Sequence, residues 1–489
     1  MKHCKFYAVE INSSFCRRTC ASLMPLTLAL VFCSFSQADD WPTYQRDNQR
    51  SCVTSEQLTL PLSSPWVLAS KQAPHAAWSA SPAKRDFWHG FDNLKPRVLF
   101  DQTNYVSVVG DSLYFGSSSD DVVCCRSTQT GEEQWVFFTD GPVRMAPAVY
   151  NQKVYFGSDD GWVYCLNAKD GKLIWNYNPF PEDKRIIGNG RMISVWPIRT
   201  SVLVQDGTVY FGAGILPIEG VALCALNADD GTVIWKKNTS ISPQGYLLSM
   251  LDRIIVPTGR TNPYLVSAKT GKILGSFSSG RSGGTYAIIV GDKIVTGPGY
   301  KEDGSDWLYT YDPQTNARIA SVQGNHLVVT ATVSYVHTDD KLIALDRPSY
   351  YAASVQENKL LNRQSEISEK IRKLDAKTRS QEIIKFANEI ASIKTGLNKA
   401  KKAKKTALTW SISCKYPYSL VVAGNLIFAG GDDEIVAYDA SNGDLLWTGS
   451  VMGKAYGLAI ANGSLYVSTD RGAIHRFTNN TDVTKWQYY

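Results

Sequence analysis

The feature that most constrains this chain is a unit that recurs along it. A short apolar strand, a tight turn and a second strand lead to a turn ending in Gly, and a Trp follows that Gly by four residues. Val109 to Gly116 leads to Thr130-Gly131 and Trp135; Gln152 to Gly157 leads to Asp170-Gly171 and Trp175. Asp206 to Gly212 leads to Asp230-Gly231 and Trp235, and Gly424 to Gly430 leads to Asn442-Gly443 and Trp447. Gly supplies the positive φ of a tight turn. The Trp lands on the outer strand, where a large ring covers the seam to a neighbour. One such four-stranded unit cannot bury both of its faces, so the units must stack side by side and close into a ring. The expected fold is an all-β propeller of eight blades, with seven as the fallback count.

Weaker copies fill the gaps. Arg253 to Val256 leads to Thr270-Gly271, and Asp292 to Val295 leads to Gln314-Thr315-Asn316. His326 to Asp346 supplies three strands of a further unit, whose outer strand arrives late, at Trp410. The last unit, Ser464 to Phe477, has no closing Trp; Pro65-Trp66-Val67-Leu68 near the N-terminus fits as its missing outer strand. Such an exchange joins the two chain ends and removes an open sheet edge.

The stretches Ala168 to Trp175, Ala228 to Trp235 and Ala440 to Trp447, preceded by Leu166-Asn167, Leu226-Asn227 and Tyr438-Asp439, resemble the pyrroloquinoline-quinone (PQQ) type propeller repeat. That repeat occurs in quinoprotein alcohol dehydrogenases and in BamB-like outer-membrane assembly factors. The Trp41-Pro42-Thr43-Tyr44 opening and the Gly188 to Ser194 segment look most like exported propellers of planctomycete-type bacteria. The resemblance runs from about residue 41 onward, apart from one insert. It is specific for fold and weak for cofactor, since a fold hosts many functions.

The insert, residues 352–405, has no Trp and no strand alternation. Leu360, Ile367, Ile371 and Leu374 keep helical spacing; Ile383, Phe386, Ile390, Ile393 and Leu397 form a heptad seam. The expectation is a helical hairpin with coiled-coil packing, replacing the turn between the third and fourth strands of one blade. The insert carries about +8, while the whole chain's formal charge is +6; the remainder is then about −2 and gives no electrostatic case for nucleic-acid binding. Its basic Lys399 to Lys405 end reads either as a solvated face or as a docking arm for an anionic partner: membrane lipid, wall polymer or another protein.

Residues 1–38 read as a secretory signal peptide. Lys2, Lys5, Arg17 and Arg18 precede an apolar stretch from Leu23 to Phe35, and Ser36-Gln37-Ala38 offers small residues for cleavage. The mature propeller, 39–489, is then periplasmic or secreted, with no transmembrane segment. Cys52, Cys124, Cys125, Cys165, Cys224 and Cys414 remain in it without CxxC or CxxCH spacing. Adjacent Cys124 and Cys125 bring to mind the vicinal disulfide that the resemblance implies. They sit in a strand pattern, however, where neighbours point to opposite faces and should not bond.

Propellers bind ligands where the loops entering each inner strand converge. Arg144, Arg185, Arg191, Arg199, Arg260 and Arg281 all lie in such loops, with Trp196 as a stacking surface; Ser79 to Arg97 adds Arg85, Trp88, His89 and Arg97. Arg offers a fork of donors suited to carboxylate or phosphate. Either these arginines make one anion site, or each caps its own loop and pairs with a neighbouring acid. Asp159-Asp160 and Asp432-Asp433 follow corresponding strands and read as turn chemistry. No GxSxG, HExxH or metal-spaced His cluster is present, and no catalytic residue is assigned. The leading expectation is a non-catalytic binding protein for an anionic small molecule, glycan or protein segment, or an envelope scaffold, with no cofactor. The alternatives are a PQQ- and calcium-dependent oxidoreductase and a BamB-like assembly factor.

Overall fold

The computed structural model of the chain describes residues 39–78, 100–259, 261–277, 286–297, 307–373, 376–479 and 484–489, together with the strand pair Ala83–Asp86 and Phe91–Leu94. The expected signal peptide lies outside the described residues. The rest is a β-propeller. Blade 1 is the antiparallel quartet Val106–Val109, Ser112–Ser117, Val122–Ser127 and Glu133–Phe138. Blades 2 to 6 repeat that order over 148–177, 203–238, 248–276, 287–323 and 326–413. Two further quartets share the 17-residue strand Leu445–Ala461, which is the outer strand of blade 7 in its first part and the inner strand of blade 8 in its second. Inner strands of successive blades lie side by side, and the ring closes from blade 8 onto blade 1. Loops entering the inner strands lie on one face, the mouth face; turns leaving the inner strands lie on the far face.

The recurrent Trp locks each blade to the next. Trp135 Nε1–H donates to the Ala168 carbonyl at 3.0 Å, Trp175 to Ala228 at 3.1 Å and Trp235 to Ala268 at 2.9 Å. In these three seams the acceptor is the alanine of the following repeat, whereas Trp447 donates to the Leu62 carbonyl at 3.1 Å. A second-strand tyrosine joins Trp175: Tyr155 Oη donates to the same Ala228 carbonyl at 3.0 Å. The ring then lies flat on the next turn glycine. A Cβ on Gly171 would fall 2.6 Å from the Trp135 ring, and one on Gly231 would fall 2.8 Å from Trp175. The repeat's Ala, Gly and Trp are thus one interblade contact read from two successive repeats.

Both chain ends enter the ring. Trp66, Val67 and Leu68 pair antiparallel with Arg476, His475 and Ile474 as the fourth strand of blade 8, and Trp66 Nε1–H donates across the seam to Thr128. Lys485–Tyr488 adds a parallel fifth strand, and the Tyr489 hydroxyl donates to the Gly472 carbonyl at 2.7 Å. Residues 41–54 run around the far end of the central channel. There they take up backbone groups that the inner edge strands would otherwise leave unpaired. Trp41 exchanges hydrogen bonds with Val108; the carbonyls of Pro42, Asn48, Gln49 and Cys52 accept from Val149, Ser249, Ile289 and Val422. Arg50, 1% exposed, donates to Leu247 O at 2.7 Å and to Tyr44 O at 2.8 Å. Tyr44 stacks on Tyr246 at 3.5 Å and meets Tyr105 edge-on. Residues 41–54 therefore tie the inner strands together across the far end of the ring.

The insert is a pair of helices, α1 (Arg347–Arg372) and α2 (Ala376–Thr406). They begin five residues before the expected boundary, because Asp346 caps α1 through Ser349 N–H at 3.0 Å and Pro348 suits the first turn. Ile367, near the tip of α1, and Ile393, midway along α2, are buried, while Ile383 is 46% exposed. At the root, Tyr350 Oη donates to Ser321 O at 2.8 Å and Asn358 Nδ2 to Ile319 O at 2.9 Å, both on the outer strand of blade 5. At its Trp position that strand has Ala320, which is buried. The turn of blade 6 that would receive the Trp is the one the helices replace, so α1 brings Tyr350 and Tyr351 to a seam that has lost both ring and receptor.

Candidate functional site

The mouth face is where the predicted residues gather, and the structure separates them. Arg144 and Arg199 enter from consecutive loops and meet on one carboxylate. Arg144 Nε donates to Asp159 Oδ2 at 2.7 Å; Arg199 donates through Nε and Nη2 to both oxygens at 3.2 Å. Arg144 Nη1 also reaches Asp101 Oδ2 at 2.9 Å and the His75 carbonyl. All four charged side chains are buried. Burial alone would push the Asp159 carboxyl up, but the two guanidiniums hold it below its ordinary value. Asp101 has a weaker share of positive charge, so burial wins and its carboxyl is raised despite Arg144. Asp159, expected to be turn chemistry, is instead the hub of an interblade cluster; its neighbour Asp160 does serve its turn, accepting from Trp162 N–H and the Tyr164 hydroxyl.

Arg191 sits on a hairpin, Arg185–Gly188 with Arg191–Ser194, whose Asn189 and Gly190 take φ of 49° and 82°. Two positive φ values in a two-residue turn suit the twist of the flanking strands. The hairpin arches over blade 2 towards blade 1. Arg191 forks onto Asp121 there, and Asn189 Nδ2 donates to Ala76 O at 2.7 Å. Arg185 is the most open of the set and pairs with Asp183 at 2.8 Å. Trp196, expected to offer a stacking face, is 6% exposed. Its ring is stacked on Phe180 at 5.0 Å and its Nε1–H donates to Glu219 O. Arg260 and Arg281 lie outside the described residues, as do Trp88, His89 and Arg97; the side chain of Arg85 is likewise outside them.

Sequence reasoning missed the segment that crosses the mouth, residues 72–78. His75 and Ala77 hold the Arg144–Asp101 pair through their backbone, and Trp78 lies over Arg199 at 5.3 Å. Trp78 Nε1–H donates to Gln244 Oε1 at 2.8 Å, and the residue is 41% exposed. The segment belongs to no repeat, so no spacing marks it.

Cys124 and Cys125 are free, buried thiols opposite Phe115 and Tyr114 on alternate faces of their strand. Burial pushes Cys124 up to about 12 and Cys125 up to about 11, against nucleophilic or redox use. The described residues do not fit a quinone with calcium. Tyr44 and Tyr246 are stacked on each other, Arg144 and Arg199 are engaged by internal carboxylates, and no three His, Cys, Asp or Glu side chains gather to hold a metal among the described residues.

A family model described as outer membrane protein assembly factor BamB matches residues 75–349 and 401–489, leaving out nearly all of the two helices. The quinone alcohol dehydrogenase subunit of Gluconacetobacter polyoxogenes is 29% identical over 178 residues, 35% of this chain and 22% of that protein. Outer membrane protein assembly factor BamB of Escherichia coli is 32% identical over 110 residues, 22% of this chain and 24% of that one. The chain thus spans under a quarter of each of these two relatives. Among solved structures, the quinohemoprotein alcohol dehydrogenase of Comamonas testosteroni superposes with a TM-score of 0.55 at 14% identity, covering 92% of this chain and 82% of that one. At that identity the likeness establishes the propeller fold alone.

Proposed function

Since the chain belongs to the family of PQQ-type propellers described by the BamB assembly-factor model, we propose that it is an exported propeller that binds a ligand or partner segment at its mouth face and performs no chemistry there. One observation carries the reading: the mouth is preassembled by charge pairs that use the arginines on the protein's own acids, above a channel that the N-terminal segment has closed. A site held together in this way is a rigid recognition surface, and rigid scaffolds suit binding loops. Export rests on the signal-like N-terminus, and among the described residues no helix is long and apolar enough to cross a membrane.

The test is calorimetric titration of residues 39–489 with pyrroloquinoline quinone, with and without calcium. No heat of binding and no dye-linked oxidation of alcohols is expected. Micromolar binding, lost on Arg199→Ala, would overturn the reading in favour of a quinone-dependent oxidoreductase.

A second reading, an envelope scaffold, is favoured by the root of α2. Lys399, Lys401, Lys402 and Lys405 are exposed, and none of them forms an ion pair among the described residues. An anionic partner would relieve their mutual repulsion.

A further inference from the structure

The geometry points to a neutral sugar ring as the mouth's ligand, stacked on Trp78; this inference rests on the mouth-binding reading above. Trp78 is a half-open aromatic platform whose orientation is fixed twice. Its underside rests on the Arg199 guanidinium at 5.3 Å, and its Nε1–H is held by Gln244 Oε1 at 2.8 Å. A side chain already held in place costs little further to order, so a platform fixed before binding keeps more of the stacking energy.

The charges around it decide the ligand class. The cluster below Trp78 holds two guanidiniums, of Arg144 and Arg199, and two carboxylates, of Asp101 and Asp159, so its formal charges cancel. It offers no excess positive charge for a phosphate or carboxylate. A cation is disfavoured too, because the negative face of the indole is already shared with Arg199 on the other side. What remains is a group with an apolar face for the ring and uncharged polar edges for its surroundings. A pyranose has both: axial C–H bonds on one face and a rim of hydroxyls. One polar group adjoins the ring, the Gln244 amide that holds it. Gln244 Nε2 reaches Ser242 Oγ only at 3.5 Å. A ligand hydroxyl beside the ring would give that amide N–H a closer acceptor.

The test is an array of neutral and acidic oligosaccharides probed with residues 39–489, as wild type, Trp78→Ala and Trp78→Phe, each checked for an unchanged melting transition. Binding to neutral oligosaccharides is expected, weakened tenfold or more by Trp78→Ala and largely restored by Trp78→Phe. Binding confined to sulfated or phosphorylated glycans would overturn the neutral-sugar inference while leaving a mouth ligand in place. Neutral binding indifferent to Trp78 would overturn the platform. No glycan binding at all would overturn the inference, whereas the broader mouth-binding reading falls only if quinone binds.

Discussion

At the scale of single residues, the Trp lock makes a sharp energetic statement. Trp175 is 8% exposed, lies on Gly231 and donates to the Ala228 carbonyl. Trp175→Ala removes a large buried ring and leaves that carbonyl with one donor fewer; we expect a loss of about 3–5 kcal/mol in urea unfolding. Gly231→Ala combines a φ of 73° with a Cβ pressed into the same ring, and is expected to cost roughly 1–3 kcal/mol. The two are not independent. With Trp175 gone the added methyl meets open space, so the double variant should lose less than the two single losses together. An additive result would show that the ring and the glycine do not share a contact.

Among the elements, the two helices divide into a root and an arm. The root replaces a seam contact: Tyr350 is bonded to blade 5 and packed among the buried residues between blades 5 and 6. Beyond it, α2 alone extends roughly 46 Å at about 1.5 Å per residue over its 31 residues. Replacing 362–394 by a short Gly-Ser turn should leave the melting transition nearly unchanged, while Tyr350→Ala lowers stability by about 2–3 kcal/mol. In pull-downs from envelope extract, substitution of Lys399, Lys401, Lys402 and Lys405 by Gln should remove partners if the basic root docks; an unchanged partner set would end the scaffold reading. The same contrast shows what could be read in the sequence. The blades were legible because Gly and Trp recur at a fixed interval, and the exchanged strand because blade 8 lacked its Trp. The helices were legible from their spacing. Their role at the seam was not, since Ala320 and Tyr350 are joined only by the geometry of neighbouring blades. The mouth was half legible: Arg144 and Arg199 were marked by position, but Asp101, Asp159 and Trp78 become their partners through folding, and Trp196 looked free because nothing local announces Phe180.

Across the whole molecule, two buried histidines and one half-buried one set a direction for pH dependence. His326, His337 and His475 are all pulled down to about 4 by burial. Their unfolded forms take up protons near pH 6.5, so between about 6.5 and about 4 the unfolded chain binds more protons than the folded one. Stability therefore falls as pH drops through that window. Urea midpoints should decline from about pH 7 to about pH 4.5, and His475→Gln should flatten the slope. Acid insensitivity across this range would mean that the three rings are hydrated.

The closure by residues 41–69 has a consequence in time. Glu56 accepts from Asn462 and Gly463 across 406 and 407 positions, and Trp66 waits for Arg476. Glu56 and Trp66 are thus made early and satisfied last. Until the final blade exists, Glu56 lacks these two donors and the strand at Trp66 has nothing to pair with, and the incomplete ring cannot shut. Contacts of such separation are slow to form. This ring should therefore mature in one late, cooperative step, and a chain shortened by even its last strands should fail as a whole instead of losing one blade.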